Sequence, residues 1–227
     1  MIKDLINNFY QKYPEKEAQY IREHSSRWTF IAKNWLQDKD YHQGDFLSID
    51  VGGGNGAFFE HIGLQGGFVV DGCVQDFELT ERRNVSFVKA DLNIIDQLPF
   101  YDHDLGTSVL FFNLVFCMET LEHLSNPYVC LDWIKKIMQE DAELIISIPH
   151  ERMLHNTIYP ALFYPESNFE EFLAQMAFEV VDKLYFTDGF PSVCYRLRSH
   201  PYSNKRLKFP KNEEKFMDCS PLDATNL

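Results

Sequence analysis

Three carboxylates in this chain, Asp50, Asp71 and Asp91, each follow a short β-rich run, and the first opens onto a turn crowded with glycine. That segment is Leu47-Ser48-Ile49-Asp50-Val51-Gly52-Gly53-Gly54-Asn55-Gly56, followed by the helix-like Ala57-Phe58-Phe59-Glu60-His61-Ile62. Four of the chain's 11 glycines fall within it. Glycine there lets the backbone come against a ligand where a side chain would block it. A strand, a glycine turn and a helix in that order open a nucleotide- or nucleoside-binding α/β unit. A carboxylate at the end of the next strand could accept both hydroxyls of a ribose. Asp71, after Phe68-Val69-Val70, suits that role, with Asp76 as the alternate if the strand runs on through Cys73-Val74. Asp71 is preferred because it leaves Gln75–Arg83 as a helix. Asp91, in Lys89-Ala90-Asp91-Leu92, could accept from an adenine amino group while Leu92 covers the ring.

The glycine turn fits two ligand classes. Read as G-x-G-x-x-A (Gly52, Gly54, Ala57), it suits a dinucleotide whose pyrophosphate sits on a helix N-terminus. Read as D-x-G-x-G-x-G (Asp50, Gly52, Gly54, Gly56), it suits S-adenosylmethionine. The two differ in charge: a sulfonium and an ammonium gain from the nearby Asp50, whereas a pyrophosphate is repelled by it. No Gly-Lys-Ser/Thr follows, so a Walker A loop is ruled out.

The elements that must position these acids alternate along the chain. β-rich runs at Phe46–Val51, Phe68–Val70, Val85–Val88, Phe111–Cys117 and Leu144–Ile148 are separated by helical patterns such as Leu121–Ile137. That rhythm predicts a parallel sheet covered on both faces. After Pro160, a helix over Asn168–Met176 leads to two strands, Phe178–Phe186 and Ser192–Leu197, joined through Asp188-Gly189-Phe190-Pro191, a hairpin signal. The expected fold is an α/β, Rossmann-like three-layer sandwich. Its mostly parallel seven-stranded sheet ends in an antiparallel hairpin. Residues 1–44, rich in aromatic side chains, read as an N-terminal helical cap or lid, residues 45–198 as the ligand-binding domain, and residues 199–227 as a C-terminal tail.

Composition narrows the partners. A net charge of −13 leaves little room for a basic surface and argues against a nucleic-acid partner. The one basic run, Lys205-Arg206-Leu207-Lys208 with Lys211, lies beside Glu213, Glu214 and Asp218 and reads as a solvated tail. Five cysteines without a CxxC pair point to a reducing, cytoplasmic setting. No run approaches the roughly 20 apolar residues that cross a bilayer, so no membrane partner is expected.

Taken together, Asp50 to Gly56, Asp91-Leu92 and Phe112-Asn113-Leu114-Val115-Phe116-Cys117-Met118-Glu119-Thr120-Leu121-Glu122-His123-Leu124 resemble the class I S-adenosylmethionine-dependent methyltransferases. The likeness is closest to the small-molecule branch with an E-x-x-E-H-L segment after strand four, and it covers roughly residues 45–198. Three departures stand out. Asn113 replaces the usual acid at the start of strand four, Glu140-Asp141-Ala142 replaces a Gly-Gly turn, and Tyr101–Leu110 looks like an insertion. The resemblance implies S-adenosyl-L-methionine as cofactor, held by Asp50, Gly52, Gly54, Asn55, Gly56, Asp71, Asp91, Leu92 and Met118. It implies O-methylation of a small-molecule or glycan acceptor. The competing readings are a catalytically inactive nucleoside-binding regulatory subunit and an NAD-dependent dehydrogenase.

Methyl transfer mainly requires donor and acceptor to be held in line, and a hydroxyl acceptor benefits from a base near its proton. His150, after the fifth strand, is the first candidate, and His123 the second. Glu119, Glu122 and His123, at i, i+3 and i+4, would share one face of a helix. Some relatives with the same spacing hold a divalent metal there, the RNA enzymes among them with a further histidine, for which His150 or His155 would stand here; the same motif also occurs widely without metal. With only three ligands on that face, no metal is assigned.

Overall fold

The alternating runs assemble into a seven-stranded sheet of order β3-β2-β1-β6-β7-β9-β8. Its strands are β1 (Ser48–Val51), β2 (Phe68–Asp71), β3 (Ser86–Lys89), β6 (Phe112–Met118), β7 (Met138–Pro149), β8 (Phe178–Phe186) and β9 (Ser192–Ser199). A separate two-residue pair, β4 (Tyr101–Asp102) and β5 (Thr107–Ser108), is antiparallel. The helices are α1 (Pro14–Ile31, prolonged by a wider turn over Ala32–Leu36), α2 (Ala57–Ile62), α3 (Pro127–Ile137), α4 (Pro160–Phe163) and α5 (Glu166–Gln175). This structure, a computed structural model, describes residues 14–37, 46–64, 66–72, 85–95, 101–102, 107–108, 111–150, 157–187 and 191–199. Asp76, His155, the helix expected over Gln75–Arg83, the residues between Asp188 and Phe190, the basic run at Lys205–Lys211 and the rest of the tail lie outside them.

Strands β1, β2, β3, β6 and β7 run parallel, and β9 and β8 close the sheet as an antiparallel pair. The Rossmann-like architecture expected from the sequence is therefore the one found. All five parallel strands end on the same edge, which is where ligands bind in open α/β sheets.

Because side chains alternate along a strand, each strand feeds two cores. Val115 and Cys117 of β6, with Leu144, Ile146 and Ile148 of β7, pack under α3 and α5 through Leu131, Trp133, Phe169 and Phe172. Leu114, Phe116 and Met118 face the other way with Ile145 and Cys194, beneath α1 and α2. Helix α1 contributes Trp28 and Ile31 to that second core, and its extension adds Trp35 and Leu36. The ring of Trp28 meets Phe58 and His61 edge-on at 5.6 and 5.5 Å. Trp35 Nε1 donates to Asp182 on β8 at 2.9 Å. This helix is thus a layer of the sandwich. No helix among the described residues is long and apolar enough to cross a membrane.

Two local expectations are corrected. The helix expected over Leu121–Ile137 is broken into a single 3₁₀ turn, Leu121–His123, and α3. Asn126 caps α3 by accepting from Val129 N at 3.4 Å, and Pro127 occupies its first turn. Both are helix-start signals and fix the new beginning there. Strand β7 starts six residues before the expected Leu144, at Met138 directly after α3. Its first residue pairs with Phe112 before a bulge resets the register at Leu114–Glu143. Asn113, at that bulge, accepts from Leu47 N at 2.8 Å and donates to Gln139 Oε1 at 2.8 Å, joining β1 to β7 at the edge away from the ligand.

Because Trp28 is almost fully buried on α1, Trp28→Ala should cost about 3–5 kcal/mol of unfolding free energy. Urea denaturation measures this directly. A detachable cap would instead show almost no loss.

Candidate functional site

Strand β1 delivers Asp50 and then a turn in which Gly52, Gly54 and Gly56 all adopt positive φ, at 78°, 56° and 78°. A side chain at Gly52 would strike Thr120, and one at Gly53 would strike the Asp50 carboxylate. At Gly54 the space is open. Gly52 and Gly53 are therefore demanded by close packing against Thr120 and Asp50, while Gly54 faces open space above the acid. Gly52 N donates to Val70 O at 2.7 Å, which seats the turn against β2. Asp71 ends β2, and its Oδ2 accepts from Gly54 N at 3.0 Å, so the second acid borders the same cradle. Asn55 lies within the turn, half-buried.

Asp50 is buried, and its Oδ1 has no hydrogen-bond partner. Burial first, and the Asp71 charge second, push its carboxyl from an ordinary 3.8 up to about 7. Two acids border one glycine cradle. A positively charged ligand suits that field, while a pyrophosphate would add further negative charge.

The next wall is set after β3. Asp91 Oδ1 accepts from Asn93 N at 3.1 Å and from Asn93 Nδ2 at 3.0 Å. Leu92 is buried beside it. Asn93 Oδ1 in turn accepts from Ser125 N at 2.7 Å and Ser125 Oγ at 2.9 Å. One asparagine therefore ties the Asp91 loop to the loop that follows β6.

At the end of β6, Met118 is buried and Glu119 turns into a left-handed conformation at φ 49°. Glu119 N donates to Ser147 Oγ on β7 at 3.0 Å. The Glu119 carboxylate meets Arg27 Nη1 of α1 at 2.9 Å, with both side chains at most 3% exposed. Arg27 Nη1 also donates to Ser192 Oγ at the start of β9, and Nη2 lies 2.6 Å from His24 Nδ1. Glu122 is completely buried with neither oxygen hydrogen-bonded, and burial plus the Glu119 charge hold its carboxyl well above the usual range. His123 Nε2 lies 3.8 Å from Glu122 Oε1. Since Glu119 precedes the 3₁₀ turn, the single helical face expected for Glu119, Glu122 and His123 does not exist.

His150 follows β7, and its backbone N donates to Pro191 O at 3.0 Å. Its ring meets Tyr185 edge-on at 5.7 Å, and its Nε2 faces Glu166 Oε1 at 3.5 Å. The other oxygen of Glu166 accepts from Tyr185 OH at 2.8 Å and Lys183 Nζ at 3.2 Å.

The structure thus gathers Asp50, the glycines, Asn55 and Asp71 around one cradle. Asp91, Leu92, Met118, His123 and His150 follow along the same edge. Arg27, Asn93 and Glu166 escaped the reading of the sequence. Arg27 left one trace: it lies among His24, Trp28 and Ile31, a charge set into an otherwise apolar helical stripe.

A family model described as a methyltransferase domain matches residues 46–183. No curated protein matches the chain in sequence. Among solved structures, the chain is similar to an S-adenosylmethionine-dependent methyltransferase of Thermotoga maritima, described as a possible histamine N-methyltransferase. That pair shares 15% identity over 84% of this chain and 98% of the other, with a TM-score of 0.58. Magnesium protoporphyrin IX methyltransferase of Synechocystis PCC 6803, solved with bound S-adenosylmethionine, gives 12% identity over 87% and 97%, with a TM-score of 0.62. An S-adenosylmethionine-dependent methyltransferase of Clostridium acetobutylicum gives 11% over 87% and 100%, with a TM-score of 0.57.

The Asp50 carboxyl sets a pH signature. Its pKa is raised in the folded state, so its proton contributes stability below about pH 4, and that contribution is lost as pH rises towards about 7. Relative to Asp50→Asn, the ligand-free wild type should lose up to ~1.4 kcal/mol per pH unit across that window. Urea denaturation of both proteins from pH 4.5 to 8 gives the difference. A flat difference would show that Asp50 ionises freely beneath the turn.

Proposed function

The chain belongs to the methyltransferase-domain family, and on that premise we propose that it is an O-methyltransferase of a small molecule or glycan. S-adenosylmethionine is its methyl donor. The observation that carries the reading is the charge of the cradle: an unpartnered buried Asp50 oxygen beside Asp71, in a turn whose Gly54 faces open space. This donor set fits a cationic nucleoside and disfavours the dehydrogenase alternative.

Asp50, Gly52, Gly54, Asn55, Gly56 and Met118 would hold the amino-acid end of the cofactor, Asp71 the ribose, and Asp91 with Leu92 the adenine. When bound, the cofactor supplies a methyl carbon already activated by its sulfonium. The protein's part is then to align the acceptor and remove its proton. His150 is our candidate base, held by Tyr185 and Glu166 at the end of β7. His123, half-exposed beside the buried Glu122, is the second candidate. The acidic balance supports a small acceptor over a nucleic acid, and five cysteines without paired spacing support a cytoplasmic setting.

Two measurements test this reading. S-adenosylhomocysteine at about 100 times its Kd should add ~2.7 kcal/mol of stability, and NAD none. Asp71→Ala should weaken that binding by roughly 1.5–3 kcal/mol. Stabilisation by NAD alone would overturn the cofactor assignment.

With an acceptor found by screening sugars, quinols and phenols, His150→Ala should lower kcat by about 10²–10⁴ while affinity for S-adenosylhomocysteine holds. An undiminished rate would remove His150 as the base.

A further inference from the structure

The loop after β3 and the start of α3 meet through the side chain of Asn93. Its Oδ1 accepts from Ser125 N at 2.7 Å, Ser125 Oγ at 2.9 Å and Asn126 N at 3.3 Å. Its Nδ2 donates to Asp91 Oδ1 at 3.0 Å, and the Asn93 backbone N donates to the same oxygen at 3.1 Å. These partners decide which end of the amide is which. Backbone N–H groups only donate and a carboxylate only accepts, so the oxygen must face Ser125 and the nitrogen Asp91. The far side of the junction is firm. Tyr159 OH donates to Ser125 O at 3.0 Å, Asn126 caps α3 through Val129 N at 3.4 Å, and Pro127 is buried. Leu92 and Ile95, on either side of Asn93, are buried as well.

We propose that Asn93 is a positioning residue for the cofactor's base: it holds the Asp91 carboxylate in the orientation that reads the adenine amino group, and so sets the preference for adenine. This role rests on the assignment of Asp91 to the adenine made above, and adds to it the group that aims the acid. A carboxylate on a loop can turn about its side-chain bonds, and each orientation points its lone pairs in a different direction. Two donors from one residue, both on Oδ1, hold that rotation. The contacts at the other end of the amide hold the donor itself against α3. An acceptor fixed in this way favours a base with an N–H at that place and rejects one with a second acceptor there. Asparagine suits both ends because it carries an acceptor and a donor on one short side chain. Aspartate, of the same shape, keeps the acceptor end towards Ser125 and Asn126. It sets a second negative charge against Asp91 where the donor stood.

The test is calorimetric titration of the full-length protein with S-adenosylhomocysteine and with S-inosylhomocysteine, whose base carries an oxo group where adenine carries its amino group. It needs no acceptor and no turnover. Wild type should prefer the adenine ligand by about 100-fold. Asn93→Asp should weaken S-adenosylhomocysteine by about tenfold or more and lose most of that preference. Asp91→Ala should show the same two losses, and adding Asn93→Asp to it should change neither affinity by more than about twofold. An Asn93→Asp protein that binds and discriminates as wild type does, while Asp91→Ala is impaired, overturns the role of Asn93 and leaves the adenine assignment standing. An equal loss for both ligands that persists without Asp91 also overturns it, since that marks a loop merely loosened. Unimpaired binding in Asp91→Ala, or no preference in wild type, overturns the adenine assignment and the role of Asn93 with it. If Asn93→Asp melts below the assay temperature, Asn93→Ala, which removes both ends of the amide and adds no charge, is titrated instead. It too should lose preference only while Asp91 is present, and full preference in it overturns the proposal.

Discussion

A carboxylate taken out of water must be given a proton, a donor or a cation, and this fold buries several. Burial pushes Asp50 towards its protonated form, and Glu119 is paired with Arg27. Glu143, buried on β7 near the opposite edge of the sheet, is answered by Arg196 at 2.6 Å and Arg198 at 3.4 Å on β9. The difference between the edges is functional. At the edge away from the ligand the match comes from the neighbouring strand. At the ligand edge, Asp50 keeps an oxygen that nothing in the protein occupies. That open valence sits under the glycine turn, where a cation can use it.

The two-faced sheet converts this arrangement into a rigid site. One face is closed by α3 and α5, the other by α1 and α2, so the strand ends cannot drift relative to one another. Thr120 Oγ1 donates to Met118 O at 2.9 Å while its side chain fills the space over Gly52. Asn93 joins the loops after β3 and β6. The cradle, the Asp91–Leu92 loop and the acid–guanidinium pair are therefore neighbours in one hydrogen-bonded frame, with polar groups on loops and support from the strands beneath.

Much of this was legible in the sequence because it rests on short-range signals. Period-two and period-3.6 patterns gave the strand and helix order, and the glycine run gave the cradle. The end of β2 at Asp71 followed from where the apolar run stops. The break in the helix after β6 was written in Asn126-Pro127, but Leu121, Leu124 and Leu131 keep a helical spacing across it and outweighed the cap. The early part of β7 escaped because Gln139, Glu140 and Asp141 are polar and break the apolar run between the buried Met138 and Leu144; pairing of Met138 with Phe112 of β6 starts the strand there. Arg27 was beyond reach: its partners stand 92 and 165 residues away, and no local pattern encodes such a contact.

Those separations also bear on the order in which the molecule can be finished. During synthesis α1 is made well before either anchor of its guanidinium. Until β6 and then β9 have emerged, Glu119 and Ser192 are not there to meet Arg27. A nascent α1 thus has a reason to stay solvated, because docking its Trp28 stripe early would strand the charge next to it. The buried pairing of that charge is complete only when the strands that finish the sheet are available. Closing so long a loop is slow but adds little to the equilibrium cost. The same guanidinium that balances Glu119 therefore ties the docking of the first helix to contacts made by two strands far along the chain.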